Sequence, residues 1–558
     1  MPTLPIFARR LLAFSVFAAT LVHAASAAEK AAPKAAPKLV LVLAVDGLPA
    51  EQLQRYRGQF GQGGLRRLMD EGAVFGNAHQ AHGVTVTAVG HAAILSGAYP
   101  YQHGIIGNNW IDPVTRAAVY CTDDTAHTYI GEDTRPNDGT SPARLRVDTL
   151  GDQLRYASGN RAKVIAVSGK DRGAILLAGK TGTAYMYMDK TGNFASSSYY
   201  MAAHPQWVRQ YQARRPQDRY YGKTWKPLLA DSAYAGDAPD ELFPATPSSP
   251  NRFPFSFYSD SGNLDADYYN RLKTSPFLDE LTLEFARAAV EGERLGGTAG
   301  ITDLLGVSLS AHDYINHNYG PESRMSHDHL QRLDRMLADF LTYLDRKLGA
   351  GNVLVVLTAD HGFPNTPEFV KAAKGDAGRV NAGALVASLN MALAAKYGAE
   401  KLVVAQSAPN FHLDYAAIDK LGVARAEVEN TAAAFLRTQE GVAEAYTRSQ
   451  FEANAAGSTR IGTLMRRAWH RELSGDLVVV TKPNWYFSNG SSGTSHGSPY
   501  AYDTNVPLLL SGRKWIKPGY YGQYAETVDI APTLANVLRL RPPAASEGRV
   551  LVEALQTP

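Results

Sequence analysis

The sequence has almost no cysteine, little excess charge of either sign and no apolar run long enough to cross a bilayer. Cys121 is the one cysteine among 558 residues, which excludes an intramolecular disulfide. Lysine and arginine number 56 against 53 acidic residues, a formal net charge of +3. This balance does not indicate a nucleic-acid partner. The length fits one large α/β domain with insertions, or two or three smaller domains.

The first residues have the order of a secretory signal peptide. Two arginines precede an apolar run from Leu11 to about Val22, and small residues follow up to Ala28. The run has roughly a dozen residues, whereas a membrane-spanning helix needs about 20, so a membrane anchor is the weaker interpretation. We predict cleavage near Ala27 or Ala28 and a soluble mature protein, periplasmic or secreted, without a membrane anchor. Cys121 is too far from this junction to carry a lipid there.

The rest of the chain divides into a spacer and a folded domain. Residues 29–38, EKAAPKAAPK, consist mostly of alanine, proline and lysine, which bury little and predict a disordered spacer. We therefore expect a signal peptide at 1–28, the spacer at 29–38 and one domain at 39–558.

Continuous apolar runs recur along the domain. They begin with LVLVLAV at 39–45 and reappear around Val164, Val307, Val355 and Leu509. Such runs are typical of strands that helices cover on both faces, and helical patterns lie between some of them. The alternation predicts an α/β fold with a central, mostly parallel sheet and helices on both faces.

Two stretches interrupt this alternation. Residues from about 185 to 298 are rich in tyrosine, serine, proline and aspartate, and residues from about 370 to 478 mix an alanine-rich helical pattern with short strands. We predict that both are insertions over the sheet and that the first caps the active site.

Acidic and histidine residues follow several of the predicted strands. The candidates are Asp46, Asp313, His317, Asp360, His361 and His496. Each one alone also fits a helix cap or a packed histidine, but ligands of open α/β sheets bind beyond the carboxyl ends of strands. Asp313 and His317 are spaced i, i+4, so on a helix both would face one point, as zinc ligands commonly do.

Mixed aspartate and histidine ligands favour zinc, whereas an all-oxygen set would favour magnesium or calcium. Two such sets indicate two ions, and a pair of ions can hold both the attacking and the leaving oxygen of a phosphoryl displacement. The sequence therefore predicts a metal-assisted phosphoryl transfer site.

The chain resembles the alkaline phosphatase superfamily and, within it, the PafA-like bacterial alkaline phosphatases that use a threonine nucleophile. The matching stretches run from the first strand almost to the last. They are LAVDGL at Asp46, TVTAVGHAAILSGAYPYQHGI at Thr87, GNNW at Asn108, SGKDRGA at Lys170 and Arg172, SAHDYINHNYG at Asp313 and His317, LTADHG at Asp360 and His361, and TSHGSPYAYDTNVPLLL at His496.

The resemblance implies a catalytic domain with two zinc ions per chain. One ion would be held by Asp313, His317 and His496, and the other by Asp46, Asp360 and His361. Thr87 would bridge toward the second ion and attack phosphorus at the N-terminus of a helix, where free N–H groups favour a phosphate. A helix cap is the alternative explanation of this threonine. His91, one turn later, would support the site without binding metal.

The resemblance also assigns the non-bridging phosphate oxygens to Asn108, Lys170 and Arg172. A monoester is a dianion and needs more positive charge than a diester, so the lysine and arginine favour a monoesterase. A surface ion pair with Asp171 is the alternative. Cys121 lies in VYCTDDT, outside the Cys/Ser-x-Pro-x-Arg context of similar sulfatases, and the mutases of the superfamily usually have serine at the position of Thr87.

We therefore expect an exported monomer that hydrolyses small phosphate monoesters through a phosphothreonine intermediate and releases inorganic phosphate. The alternatives are a phosphodiesterase or nucleotide pyrophosphatase of the same superfamily, and an exported phosphate- or metal-binding protein without turnover. Caps and solvation are the expected explanation of the His327, Asp328 and His329 cluster.

Overall fold

The structure is a computed structural model that describes residues 35–243, 251–457 and 459–556. The predicted signal peptide and the predicted spacer up to residue 34 lie outside these ranges. At the end of the predicted spacer, Pro37 is buried, and its carbonyl accepts a 2.6 Å hydrogen bond from the Thr302 hydroxyl. Contacts with the domain therefore begin just before the first strand.

The strands coincide with the apolar runs of the sequence wherever those runs are longest. They are β1 (Leu39–Val45), β2 (Ala73–His79), β3 (Asn109–Ile111), β4 (Ala118–Tyr120), β5 (Val164–Ser168), β6 (Thr183–Tyr187), β7 (Phe194–Ala195), β8 (Thr224–Trp225), β9 (Phe255–Ser256), β10 (Asp303–Leu309), β11 (Val353–Thr358), β12 (Gly378–Val380), β13 (Val403–Ser407), β14 (Asn410–Leu413), β15 (Val442–Thr447), β16 (Leu477–Thr481), β17 (Trp485–Phe487), β18 (Leu508–Ser511) and β19 (Gly519–Glu526).

Several helices begin at side-chain caps, for example at Ser323, whose hydroxyl accepts the N–H of Ser326. The helices are α1 (Ala50–Tyr56), α2 (Leu65–Glu71), α3 (Thr87–Ser96), α4 (Pro100–His103), α5 (Leu150–Ala157), α6 (Asp171–Ala178), α7 (Gln206–Ala213), α8 (Ala266–Lys273), α9 (Pro276–Glu293), α10 (Ala311–Tyr319), α11 (Arg324–Leu348), α12 (Pro367–Ala372), α13 (Ala382–Tyr397), α14 (Tyr415–Lys420), α15 (Arg425–Leu436), α16 (Arg448–Glu452), α17 (Arg460–Ala468), α18 (Ala501–Thr504) and α19 (Ile530–Leu538).

The central sheet has the strand order β19-β2-β18-β11-β1-β10-β5-β6-β7. The run from β11 to β6 is parallel, whereas β18 and β7 pair antiparallel with their neighbours in that run. Val45 of β1 lies opposite Leu309 of β10, and Ala44 lies opposite Thr358 of β11. Because three adjacent parallel strands end at the same level, the residues that follow them meet at one edge of the sheet.

Helices cover both faces of this sheet, as predicted. Alternate residues of β1 enter two different cores, with Leu41 on the side of α9 and α11 and Val42 on the side of α3, α5, α6 and α19. Every residue of β1 is buried. This two-sided burial explains why the strand is a continuous apolar run and does not alternate with polar residues.

The insertions differ from the prediction in extent and in position. The predicted boundary at about 185 falls inside β6, and α9 packs against β5 and β10, so both ends of the first segment belong to the central layers. Its middle packs on α11, where Trp225 Nε1 donates a 2.6 Å hydrogen bond to Asp328. The second segment forms a separate antiparallel sheet, β13-β14-β16-β15, with its own core against α13 and α15.

Candidate active site

The six predicted metal ligands come together beyond the carboxyl ends of the central strands. Asp46 follows β1, and Asp360 and His361 follow β11. Asp313 and His317 lie on α10, which begins after β10, and the i, i+4 spacing brings His317 Nε2 within 3.4 Å of Asp313 Oδ1. His496 arrives from the loop before α18, with Nε2 at 3.5 Å from Asp313 Oδ1; this last approach is a tertiary contact.

The donor atoms form two groups in which all atoms lie within 4.8 Å of one another. One group consists of Asp313, His317 and His496, which is the set predicted for the first ion. The other consists of Asp46, Asp313 and His361, so Asp313 belongs to both groups, and Asp360, predicted for the second ion, is not a member of this one. Asp360 stays adjacent, with Oδ2 at 3.6 Å from His361 Nε2, while its Oδ1 accepts the N–H groups of Gly47 and His361.

Backbone carbonyls orient all three histidine rings in the same way. Nδ1 lies 2.9 Å from Thr494 O in His317, 2.9 Å from Gly362 O in His361 and 2.8 Å from Thr85 O in His496. A carbonyl only accepts, so Nδ1 is the protonated nitrogen of each neutral ring, and Nε2 presents a lone pair toward the carboxylates. Metal-binding histidines are commonly held in this manner.

Several buried atoms at this edge lack a hydrogen-bond partner within the described ranges. They are Asp46 Oδ1, Asp313 Oδ1 and His361 Nε2. Oxygen and nitrogen lone pairs that converge without donors are costly unless a cation neutralises them. The donor set therefore fits a divalent metal, and its mixture of carboxylate and imidazole fits zinc.

The pKa values of the site reflect the same crowding of charge. Burial and the Asp360 carboxylate raise the pKa of Asp46 well above its usual range. Burial acts in the same direction on Asp313, but Lys170 and the neighbouring histidines outweigh it and hold the pKa of Asp313 well below its usual range. Burial also lowers the pKa of His361 and His496, which favours the neutral imidazole that a metal requires.

Lys170 lies among the carboxylates and not toward an open surface. Its Nζ is 2.8 Å from Asp46 Oδ2, 2.5 Å from Asp313 Oδ2 and 3.5 Å from Thr87 Oγ1. Against the cost of burial, the two aspartates raise the pKa of Lys170 above its ordinary value. Lys170 therefore does not form the alternative surface ion pair with Asp171 in the described structure, whereas Arg172 Nη1 lies 3.8 Å from Asp171 Oδ1.

Thr87 is the first residue of α3 and is 1% exposed. Helix α3 packs directly on the turn after β11, since a Cβ at Gly90 would lie only 2.1 Å from Asp360 O. His91 joins these elements: its Nδ1 is 2.8 Å from Thr87 O and 3.1 Å from Asp360 Oδ2, and its Nε2 is 2.8 Å from Ser308 Oγ. His91 thus supports Thr87 from behind, as the sequence analysis expected.

Asn108, just before β3, contacts the first turn of α3, and Arg172 lines a cavity together with Lys170. The Ala88 N–H donates a 2.9 Å hydrogen bond to Asn108 Oδ1, which ties Asn108 to the first turn of α3. Arg172, in the first turn of α6, donates through Nη1 to the Tyr120 hydroxyl at 3.2 Å, and its Nε has no partner in the described part of the chain. A guanidinium with a free N–H can bind an anionic oxygen.

The cluster around Asp328 is buried, which corrects the expectation of caps and solvation. Asp328 accepts hydrogen bonds from Trp225 and Tyr234 of the first segment, and His327 pairs with Asp237 at 2.9 Å. These partners lie 90 to 103 positions away in the sequence, so no local pattern reveals them.

A second buried chain of polar residues supports α10 and was missed at the sequence level. Asp279 accepts the Ala311 N–H at 3.0 Å and lies 3.0 Å from His329 Nε2. His329 in turn contacts His312, whose other ring nitrogen lies 2.8 Å from Gln52 Oε1. This chain joins α9 and α11 to the first turn of α10, the helix that carries two predicted metal ligands.

Two cavities adjoin the site. One, of about 320 Å³, is lined by Asn108 and His496 together with residues of the second inserted segment. The other, of about 270 Å³, is lined by Lys170 and Arg172 and by charged side chains such as Arg135. Residues of the second segment, and not the tyrosine-rich middle of the first, therefore line the cavity beside His496.

Within the described ranges, no helix combines the length and apolar character that crossing a membrane requires.

Comparison with known proteins places this site in a family. The model of the type I phosphodiesterase/nucleotide pyrophosphatase family matches residues 40–503. A protein named calcium-transporting ATPase from Myroides odoratus is 35% identical over 529 residues, 93% of this chain and 95% of that protein. Alkaline phosphatase PhoV from Synechococcus elongatus is 34% identical over 532 residues, with 93% of each protein covered.

Alkaline phosphatase PafA is similar in both sequence and structure. The protein from Elizabethkingia meningoseptica is 32% identical over 534 residues, 95% of this chain and 96% of that protein. A crystal structure of wild-type PafA matches with a TM-score of 0.86 over 93% of this chain and 99% of that chain.

These matches span nearly the whole described domain and include the strands, the α10 helix and the loop that build the site. The mixed α/β fold with a mostly parallel central sheet is thus confirmed. The chain belongs to the type I phosphodiesterase/nucleotide pyrophosphatase family of the alkaline phosphatase superfamily and is a phosphatase similar to the PafA-like enzymes.

Proposed function

We propose that this chain is an exported hydrolase of phosphate monoesters that uses Thr87 as its nucleophile and two zinc ions as its cofactor. The observation that carries the proposal is the convergence of carboxylate and imidazole groups beside a buried threonine at a helix N-terminus, with Asp46 Oδ1, Asp313 Oδ1 and His361 Nε2 left without a hydrogen-bond partner in the described ranges. The similarity to alkaline phosphatases supports the same conclusion.

Asp313, His317 and His496 would hold one ion, and Asp46 and His361 would hold the other with an oxygen from Asp360 or Asp313. Bound there, the ions would lower the pKa of the Thr87 hydroxyl and stabilise negative charge on the leaving oxygen. Every other contribution comes from side chains and backbone groups of the chain.

Thr87 Oγ forms a bond to phosphorus while the bond from phosphorus to the leaving oxygen breaks. The free N–H groups at the start of α3 favour the phosphoryl group at this point. His91 holds the Thr87 backbone, and a water molecule then hydrolyses the phosphothreonine, which restores the hydroxyl and releases inorganic phosphate.

Arg172, Asn108 and Lys170 bind the non-bridging oxygens in this proposal. A monoester brings two negative charges to these groups and a diester brings one, so their positive charge favours the monoester. Lys170 also neutralises Asp46 and Asp313. The signal peptide at 1–28, a monomeric state and a periplasmic or secreted location complete the proposal.

The decisive experiment labels the nucleophile. The enzyme is mixed with p-nitrophenyl phosphate, quenched at low pH and digested, and the phosphoryl group is located by peptide mass analysis. We expect phosphothreonine at Thr87, appreciable activity in Thr87→Ser and little in Thr87→Ala, because only serine retains the hydroxyl oxygen. A phosphoryl group on another residue would refute the assignment, and binding of phosphate without release of p-nitrophenol would favour the non-catalytic alternative.

A further inference from the structure

We propose that the cavity of about 320 Å³ beside His496 binds the leaving group of the phosphate ester. The preferred leaving group would be uncharged and would carry an aromatic ring or a similarly bulky apolar portion. This inference rests on the proposed monoesterase function and specifies its substrate class. The volume lies near the lower end of small-molecule sites, which suits roughly one ring system.

The position of the cavity agrees with an in-line displacement. In such a reaction the leaving oxygen lies on the side of phosphorus opposite the attacking atom. Thr87 is joined through His91 to Asp360, whereas His496 belongs with Asp313 and His317 to a donor group that does not contain Asp360. His496 lines the cavity together with Val86 and Asn108, which lie next to Thr87 and Ala88, so the cavity begins beside the reacting atoms and a leaving group can extend into it.

Apolar side chains from two parts of the chain contribute to its walls, beside uncharged polar residues such as Asn109 and Ser407. Val84, Val86 and Ile106 lie on the side of α3, and Trp485 and Phe487 of β17 belong to the segment that follows the second sheet. Both of these aromatic residues are only half-buried, so ring surface remains accessible. A flat apolar group placed there would remove this surface from water.

The lining has few charges, in contrast to the other cavity. Among its described residues there is no lysine, arginine or glutamate, and apart from two tyrosines the ionisable groups are His496 and Asp503. Asp503 Oδ2 already accepts the N–H groups of Gly497 and Ser498. An anionic leaving group would lose water here without gaining a counter-ion, while a neutral one would not.

The test compares two esters whose reacting bonds are equivalent. Ethyl phosphate and 2-phenylethyl phosphate both release a primary alcohol of similar pKa, so a difference in kcat/KM reports binding of the ring. We expect the wild-type enzyme to prefer the phenylethyl ester roughly tenfold, since even one methylene in an apolar pocket changes kcat/KM by at least about that factor. A carboxylate on the ring should remove the preference.

Phe487→Ala should lower the preference for the phenylethyl ester severalfold, and Phe487→Leu should retain part of it. Phe435→Ala is the matched control, because Phe435 is also half-buried and packs on the same hydrophobic core but does not line the cavity. As a readout without turnover, 2-phenylethylphosphonate should inhibit more strongly than ethylphosphonate, and Phe487→Ala should reduce this difference.

Equal kcat/KM for the two esters in wild-type enzyme would overturn the assignment of the cavity. Equal losses of the preference for the phenylethyl ester in Phe487→Leu and Phe435→Ala would overturn it as well. In either case both esters are still hydrolysed, so the proposed function stands. If the wild-type enzyme releases phosphate from neither ester nor from p-nitrophenyl phosphate, the proposed function fails first, and the cavity assignment fails with it.

Discussion

Replacement of Arg172 by alanine tests whether this site is built for a dianionic phosphate. The Arg172 side chain is 20% exposed, and its Nη1 donates a hydrogen bond to Tyr120 and lies 3.8 Å from Asp171 Oδ1, while its Nε has no partner among the described residues. Its positive charge is secure, because Tyr120 and Asp171 raise the pKa of Arg172 despite burial. Removal of the side chain therefore deletes a charged donor that the protein itself leaves partly unused.

The expected loss follows from the number of hydrogen bonds that the guanidinium can offer. One charged hydrogen bond contributes roughly 1.5 to 3 kcal/mol, which corresponds to a loss of roughly 10- to 150-fold in kcat/KM for a monoester. A bidentate contact would place the loss at the upper end of that range. A diester presents one fewer charge and one fewer free oxygen, so it should lose less.

The assay is kcat/KM for p-nitrophenyl phosphate and for bis-p-nitrophenyl phosphate, with zinc content measured in each preparation. Arg135→Ala is the control, because Arg135 lines the same cavity but is 58% exposed and lies near Asp138. Lys170→Ala is a less specific test of substrate binding, since it also leaves Asp46 and Asp313 without their ammonium partner. Equal losses of kcat/KM on both substrates in Arg172→Ala would show that the arginine supports the fold or general anion binding. A wild-type preference for the diester would favour the phosphodiesterase alternative.

Three further predictions concern the metal, the helix contact and pH. Chelation should remove about two zinc ions per chain together with the activity, and zinc should restore both; full activity in metal-free protein would contradict the proposal. Gly90→Ala places a methyl group against Asp360 O. It should destabilise the fold by roughly 1 to 3 kcal/mol in urea unfolding and lower kcat/KM. An unchanged unfolding midpoint would contradict the close contact. Burial raises the pKa of Glu322 from 4.5 to about 7, aided by Glu368. The native state therefore keeps a proton that the unfolded chain releases, and the free energy of unfolding should fall as pH rises from about 4.5 to about 7 and then level off. Glu322→Gln retains an acceptor for the Thr366 N–H but cannot titrate, so its urea midpoint should not show this fall between pH 4.5 and about 7. Identical pH profiles of the urea midpoint in wild type and Glu322→Gln would refute the assignment to Glu322.

Local sequence patterns are sufficient to predict part of the site. The long apolar runs determined which strands are buried on both faces, because only a strand covered twice excludes polar residues along its whole length. The spacing of Asp313 and His317 determined that both face one point once a helix forms. The start of α3 at Thr87 is likewise local. Each of these features depends on the chain within a few residues, and each was predicted.

Contacts between distant residues decided the rest. Lys170 reaches Asp46 and Asp313 only because β5, β10 and β1 are neighbours in the sheet. Asp313 joins both donor groups for the same reason, although its sequence spacing points only to His317.

The sequence alone thus determined the fold class and the metal-ligand candidates, since strand burial and helix spacing act over short stretches of chain, and the resemblance to the alkaline phosphatases supplied Thr87 as the nucleophile candidate. The tertiary structure decided which donors share a group, where Lys170 lies and which segment lines the cavity beside His496. It also decided that His327, Asp328 and His329 are buried. A polar residue can be buried only when another part of the chain supplies its hydrogen-bond partner, and the position of that partner is a property of the packed fold.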